Sequence, residues 1–227
     1  MVNKSQIKSF KNNGYVILRK YLSENKIKTL KREIELISKK HQIKNIFASK
    51  KDLFWKKNFK KLNNLRLELN YNNKRFDNFF NSKLFYSDTS RIKKKKSSKF
   101  KVDKIRFNIP ALKSKLHPWH QDEITWPNKT NQNPLTFWVP LVNIDKKNGI
   151  EFAKLSKKSD FLFDHKYGKD PKTKLKYATF QNKKILNKTI KPKLKIGDVI
   201  IFDAFLPHRS CLNITKKIRI SIDTRFR

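Results

Sequence analysis

The sequence predicts a mainly β protein, an antiparallel sandwich or barrel with helices gathered ahead of it in the chain. Three observations predict this. The runs KIRFNI, LTFWVPLV, DVIIFD and IRISIDTRF, all after residue 100, are short, rich in β-branched and aromatic residues, and parted by Pro, Asn and Gly. No helix-length pattern alternates with them, which argues against a parallel α/β sheet. The clear helical spacing lies instead near the N-terminus, where Ile27, Leu30, Ile34 and Ile37 fall on one face.

Taken in order, the first 45 residues read as a helical start, a strand and an amphipathic helix. Gly14 precedes the strand-like run YVILRKYL, and Ser23 is placed to cap the helix that follows. Residues 46–100 mix aromatics, as in FFNSKLFYSD, with dense charge and show no clean period. The lysines at 93–96, beside Ser97 and Ser98, read as an exposed loop. Beyond them, Asn148-Gly149 marks a tight turn, and Gly197-Asp198 opens a strand. At 227 residues the chain suits one domain with a proper core. Residues 1–100 are expected to form its helical part and residues 101–227 its β-barrel core.

Composition narrows the function classes. Cys211 is the sole cysteine, which excludes an intrachain disulfide and a Cys-rich zinc site. The opening MVNKSQIKSFKNNG is polar, and no apolar run reaches the ~18 residues of a membrane span, so a cytoplasmic protein is expected. The net charge is +38, carried by 46 Lys and only 10 Arg. These lysines are scattered, with RIKKKKSSKFK the one real cluster, whereas phosphate-reading surfaces lean on arginine's fork. Nucleic acid is therefore not expected as a partner, and the excess lysine reads as compositional.

Strand alternation sorts the polar residues. In IRISIDTR, Ile218, Ile220 and Ile222 take one face, and Arg219, Ser221, Asp223 and Arg225 the other. In IRFNI, Ile105, Phe107 and Ile109 oppose Arg106 and Asn108. Read as strand, His120 and Asp122 share a face, as do His208 and Ser210 at the end of DVIIFDAFLPHRS. A merely solvated face in so lysine-rich a chain would show Lys; these show His, Asp, Asn, Ser and Arg, as an interior pocket would. His120, Asp122 and His208 make up the two-histidine, one-carboxylate set that suits non-haem Fe(II). A bare H-x-D also serves as a surface ion pair, so the distant His208 and Arg219 carry more weight. LNITKK can turn the chain so that the next strand returns antiparallel and brings Arg219 into the pocket beyond the metal. There its fork would meet a dicarboxylate whose other end chelates iron.

These segments resemble the phytanoyl-CoA dioxygenase family of Fe(II)/2-oxoglutarate oxygenases. NNGYVILRKYLSENKIKTLKREIE is similar to that family's first strand and helix, and WHQD to its H-x-D. LTFWVPLVNIDKKNGIEFAKLSKKS is similar to its central hairpin, and KIGDVIIFDAFLPHRSCLNITKKIRISIDTRF to its closing strands. The resemblance implies a double-stranded β-helix, a jelly-roll, cupin-like barrel. It implies Fe(II) on His120, Asp122 and His208, and 2-oxoglutarate on Arg219 with Ser210 beside it. Trp138 and Asn108 match positions that contact the co-substrate in relatives. It also implies O2 and a small organic substrate as reactants, and Asp122 favours hydroxylation, because halogenating relatives lack that carboxylate. One departure is AKLSKKS, which replaces a PGSH-like ending at the pocket rim.

Among the remaining residues, His117, Trp119, Glu123 and Trp126 flank the ligands, His41 and His165 read as surface residues, and Cys211 as a small buried filler facing away from the pocket. The rival class is a non-catalytic barrel whose basic surface grips a polyanion; a full ligand set with its anchoring arginine argues against it.

Overall fold

The computed structural model describes residues 1–71, 78–100, 104–110, 118–125, 133–169 and 176–227. Helix α1 (Lys4–Asn13) opens on a capping box between Asn3 and Gln6, and Gly14 closes it with φ +74°. Strand β1 (Tyr15–Leu18) follows, then α2 (Glu24–Lys40), where Ser23 accepts from the Lys26 amide as expected. Ile27, Leu30, Ile34 and Ile37 of α2 are all buried. Among the described residues, the stretch without a readable period includes α3 (Asp52–Lys57), α4 (Phe59–Tyr71) and α5 (Lys83–Lys93). Of the loop expected at 93–96, Lys94 to Lys96 are exposed, whereas Lys93 is the last residue of α5, half-buried and donating to the Asn133 carbonyl.

Among the described residues ten strands complete the order: β2 (Lys104–Asn108), β3 (Leu135–Pro140), β4 (Ile150–Ala153), β5 (His165–Lys169), β6 (Lys176–Phe180), β7 (Thr189–Ile190), β8 (Val199–Asp203), β9 (His208–Ser210) and β10 (Arg219–Phe226), with β1 before them. They form an antiparallel five-stranded sheet ordered β1-β8-β3-β10-β2, a three-stranded sheet ordered β7-β4-β9, and the antiparallel pair β5-β6. The fold is mainly β with helices on one side, as the sequence predicts. β1 comes from the first hundred residues yet pairs with β8, so the main sheet draws on both parts of the chain.

Two apolar layers follow from strand alternation. Val16, Leu18, Ile105, Phe137, Val139, Ile201, Ile220 and Ile222 face the helices and join Ile34, Trp55, Leu65 and Phe85 in the larger core. The opposite face of the same sheet contributes Trp138, Ile200 and Phe202, which pack against Ile150 and Phe152 of the smaller sheet. Tyr15 stacks on Phe152 at 5.2 Å between ring centres, so the two sheets meet face to face. Asn70 of α4 accepts from the Ile105 amide at 2.7 Å and covers the free edge of β2.

Three expectations about connectivity are corrected. β3 and β4 are not a hairpin: they lie in different sheets, and Pro140 ends β3 before the chain crosses over. DVIIFDAFLPHRS is not one strand: a turn ending in Pro207 sends β8 to the large sheet and β9 to the small one. Arg219 enters the pocket as expected, but β10 does not return antiparallel against β9. β10 pairs with β2 and β3 while β9 pairs with β4, so Arg219 reaches the His208 strand across the space between the sheets. The Asn148-Gly149 turn is present, with Asn148 Oδ1 accepting from the Asp145 amide at 3.0 Å. A Cβ on Gly149 would sit 2.8 Å from the Asp145 carbonyl oxygen, so the close approach requires glycine.

Candidate metal centre

His120, Asp122 and His208 converge between the sheets, where one ligand atom from each lies within 4.8 Å of the others. The local structure differs from the expected strand. His120 forms an isolated bridge with His208, each amide donating to the other's carbonyl at 3.0 and 2.9 Å. Asp122 then begins a 3₁₀ turn, Asp122–Thr125. The turn still returns the carboxylate to the imidazoles, with Asp122 Oδ1 3.7 Å from His120 Nε2 and 3.8 Å from His208 Nε2.

Hydrogen bonds fix the tautomer of both histidines. His120 Nδ1 lies 2.7 Å from the Pro118 carbonyl and His208 Nδ1 2.9 Å from the Leu206 carbonyl. A carbonyl only accepts, so Nδ1 carries the proton in each ring and Nε2 keeps its lone pair. Burial, with His120 alongside, pushes the His208 imidazole down to about 4, which leaves it neutral at physiological pH. Burial alone would raise the Asp122 carboxyl. Arg225 and the two imidazoles outweigh it and hold that carboxyl well below the usual carboxylate range. Two imidazole Nε2 atoms and one anionic carboxylate oxygen fit a divalent transition metal with open positions left over.

Arg219 is 3% exposed, and burial lowers its guanidinium to about 10, still a cation at neutral pH. It donates to the Asn148 carbonyl at 3.2 Å, Ser221 Oγ at 2.8 Å and Ser210 Oγ at 3.2 Å, and stands 5.5 Å from the Trp138 ring centre. All three acceptors are neutral. No carboxylate among the described residues lies within ion-pairing distance, so a buried positive charge is left to attract an anion. Asn108, paired with Arg219 in the β2–β10 register, spends its amide on the Cys211 carbonyl at 2.8 Å. Arg219, Ser210, Trp138 and Asn108 thus lie close together, although Asn108 braces the strand after His208.

Sequence reasoning placed Arg225 on the pocket face but gave it no task. Its Nη2 and Nε lie 3.0 and 3.2 Å from Asp122 Oδ2, and Thr136 Oγ1 donates to the same oxygen at 2.9 Å. No local signal could reveal a pair 103 residues apart. His165 and His41 are corrected from surface residues to half-buried ones. His165 Nε2 accepts from the Gln121 amide at 3.2 Å, next to the ligand segment, and His41 pairs with Glu68 at 2.7 Å, tying α2 to α4. Glu123 is buried and accepts from the Asn133 amide, and Trp119 lies under the Arg209 guanidinium. Cys211 is buried and free. His117 and Trp126 lie outside the described residues.

Solved structures share this fold. EvdO2 from Micromonospora carbonacea var. aurantiaca, solved with 2-oxoglutarate, is similar with a TM-score of 0.71 and 14% identity over 100% of this chain and 91% of that one. The epimerase SnoN, solved with Fe3+, alpha-ketoglutarate and nogalamycin RO, gives 0.63 and 16% over 98% and 82%. EctD from S. alaskensis in its apoform gives 0.66 and 14% over 99% and 76%. No curated protein sequence matches this one significantly. The family model for phytanoyl-CoA dioxygenase matches residues 10–221, nearly the whole chain, and the chain belongs to the phytanoyl-CoA dioxygenase (PhyH) family.

Proposed function

We propose that this protein is an Fe(II)- and 2-oxoglutarate-dependent oxygenase that hydroxylates a small organic molecule. In the overall reaction the substrate, 2-oxoglutarate and O2 become the hydroxylated product, succinate and CO2. The observation that carries the reading is the pairing of two features in one inter-sheet space: three ligand atoms within 4.8 Å of one another, and a buried guanidinium with only neutral partners. The metal would rest on His120 Nε2, His208 Nε2 and Asp122 Oδ1 and would supply the activation of O2 that attack on a C–H bond requires. Arg219 would take the distal carboxylate of 2-oxoglutarate, with Ser210 adding a hydroxyl and Trp138 a wall. Phe152 and Phe202, whose ring centres lie 6.2 and 4.7 Å from that of His208, keep water from one side of the ligand set.

Hydroxylation is the finer part of the proposal. Similar folds include an epimerase, a carbocyclase and a monooxygenase, so the fold alone does not select hydroxylation. Asp122 supports hydroxylation here, since it occupies the position a halide would need. The reading treats residues 1–227 as one domain at work in the cytoplasm, with Cys211 as its single, buried thiol. The test is succinate formation with Fe(II), 2-oxoglutarate and air across a metabolite panel, with mass analysis for one added oxygen. A product that gains no oxygen while succinate accumulates would replace hydroxylation with another outcome.

A further inference from the structure

The two oxygens of Asp122 are treated differently. Oδ2 accepts three hydrogen bonds, two from Arg225 and one from Thr136. A carboxylate oxygen has two lone pairs, so Oδ2 is saturated. Oδ1 instead points at the Nε2 atoms of His120 and His208, at 3.7 and 3.8 Å. Thr136 and Arg225 are register partners on β3 and β10, the two central neighbours of the large sheet. The rotation of the carboxylate is therefore set by the rigid sheet and not by the short 3₁₀ turn that carries Asp122. Arg225 is steadied in turn by Asp223 at 3.5 Å, whose Oδ2 also accepts from Arg106 Nε at 2.9 Å.

We propose that Arg225 is a positioning residue which, with Thr136, confines Asp122 to ligation through Oδ1 alone. This rests on the reading that a metal sits among the three ligands. Two imidazoles and one oxygen supply three donors, and a chelating 2-oxoglutarate supplies two more. A metal that accepts six then keeps one position for O2. A carboxylate free to swing both oxygens inward would fill that position or displace one arm of the chelate. The Arg225 charge beside the ligand also tempers how strongly Asp122 binds the cation, so the ion pair trades metal affinity for an open site.

Co(II) bound in place of Fe(II) tests this, because its visible absorption weakens as its coordination number rises. Wild type, Arg225→Gln, Thr136→Val and Thr136→Ser are titrated with Co(II) and then with 2-oxoglutarate. Wild type and Thr136→Ser should share one spectrum. Arg225→Gln should lose half or more of the visible intensity and bind Co(II) at least as tightly. It should also bind 2-oxoglutarate about tenfold more weakly with Arg219 intact. Thr136→Val should fall between. A folded Arg225→Gln with the wild-type spectrum and 2-oxoglutarate affinity overturns the proposal. So does weaker Co(II) binding under an unchanged spectrum, which would make Arg225 a merely structural partner. If Arg225→Gln does not fold, Thr136→Val decides, and a wild-type spectrum there overturns the proposal too. A wild type that binds no Co(II) refutes the metal reading itself, before Arg225 enters.

Discussion

Replacing Arg219 by alanine separates co-substrate anchoring from fold support. In the free protein the guanidinium is buried and donates to three neutral oxygens, and the charge of Asp223, beyond ion-pairing distance, offsets only part of its desolvation. Deleting it removes three hydrogen bonds and also removes a buried charge that costs free energy to hold, and the two changes oppose each other. The melting temperature should therefore shift by only a few degrees. Co-substrate binding loses without compensation. A bond between guanidinium and carboxylate contributes about 1.5–3 kcal/mol, and two are available to a distal carboxylate. Allowing for non-additivity, a loss of about 2.7 kcal/mol or more corresponds to at least a hundredfold weaker 2-oxoglutarate binding. Arg219→Lys should recover part of this, since an ammonium lacks the planar fork. Metal affinity should be unchanged, because Arg219 touches none of the ligands. The assay is an anaerobic titration of Fe(II)-loaded protein with 2-oxoglutarate, beside thermal melts of the same samples. If both proteins titrate alike, or the melt collapses while 2-oxoglutarate affinity holds, Arg219 is a structural residue and the anchoring argument fails.

Other outcomes follow from the same geometry. Asp122→Ala should abolish succinate formation, as a methyl cannot supply the anionic donor; full activity would make Asp122 simply the partner of Arg225. Asp198 accepts from the Lys20 and Lys195 amides and from Arg19, and should contribute about 2–3 kcal/mol of stability. Burial would raise its carboxyl, but these donors lower it, so the folded-state value is depressed. Its stabilisation is thus fully present above the ordinary range near about 4 and is lost as pH falls through the folded value. The stability gap between wild type and Asp198→Ala, measured by urea unfolding, should narrow only in that acid window; a gap independent of pH would assign the effect to packing. Duplex DNA should bind weakly at physiological salt given 46 Lys against 10 Arg, and nanomolar binding with a steep salt slope would overturn the compositional reading of the charge.

Much of the site was legible because strand alternation is local. Arg219, Ser221, Asp223 and Arg225 lie opposite Ile220 and Ile222; the lack of lysine on that polar face is the clue to an interior pocket, and the structure buries both sets. Alternation tells which face a residue takes but not which strand lies beside it. The chain changes sheets between β3 and β4 and between β8 and β9, and periodicity does not record such a crossing. The 3₁₀ turn at Asp122 escaped for a related reason. A two-residue step brings side chains together both on a strand and across such a turn, so the right convergence was reached from the wrong local geometry. Arg225 with Asp122, and His41 with Glu68, are long-range pairs whose partners only the folded chain selects.

On the proposed reading, one metal and one 2-oxoglutarate share the space between His120, Asp122, His208 and Arg219. The most direct measurement is the visible spectrum of the anaerobic protein with Fe(II), recorded as 2-oxoglutarate is added. A charge-transfer band should appear, saturate at one equivalent each of Fe(II) and 2-oxoglutarate, and be absent from His208→Ala. A band of the same intensity in His208→Ala, or 2-oxoglutarate binding by wild type with no band at all, would contradict it.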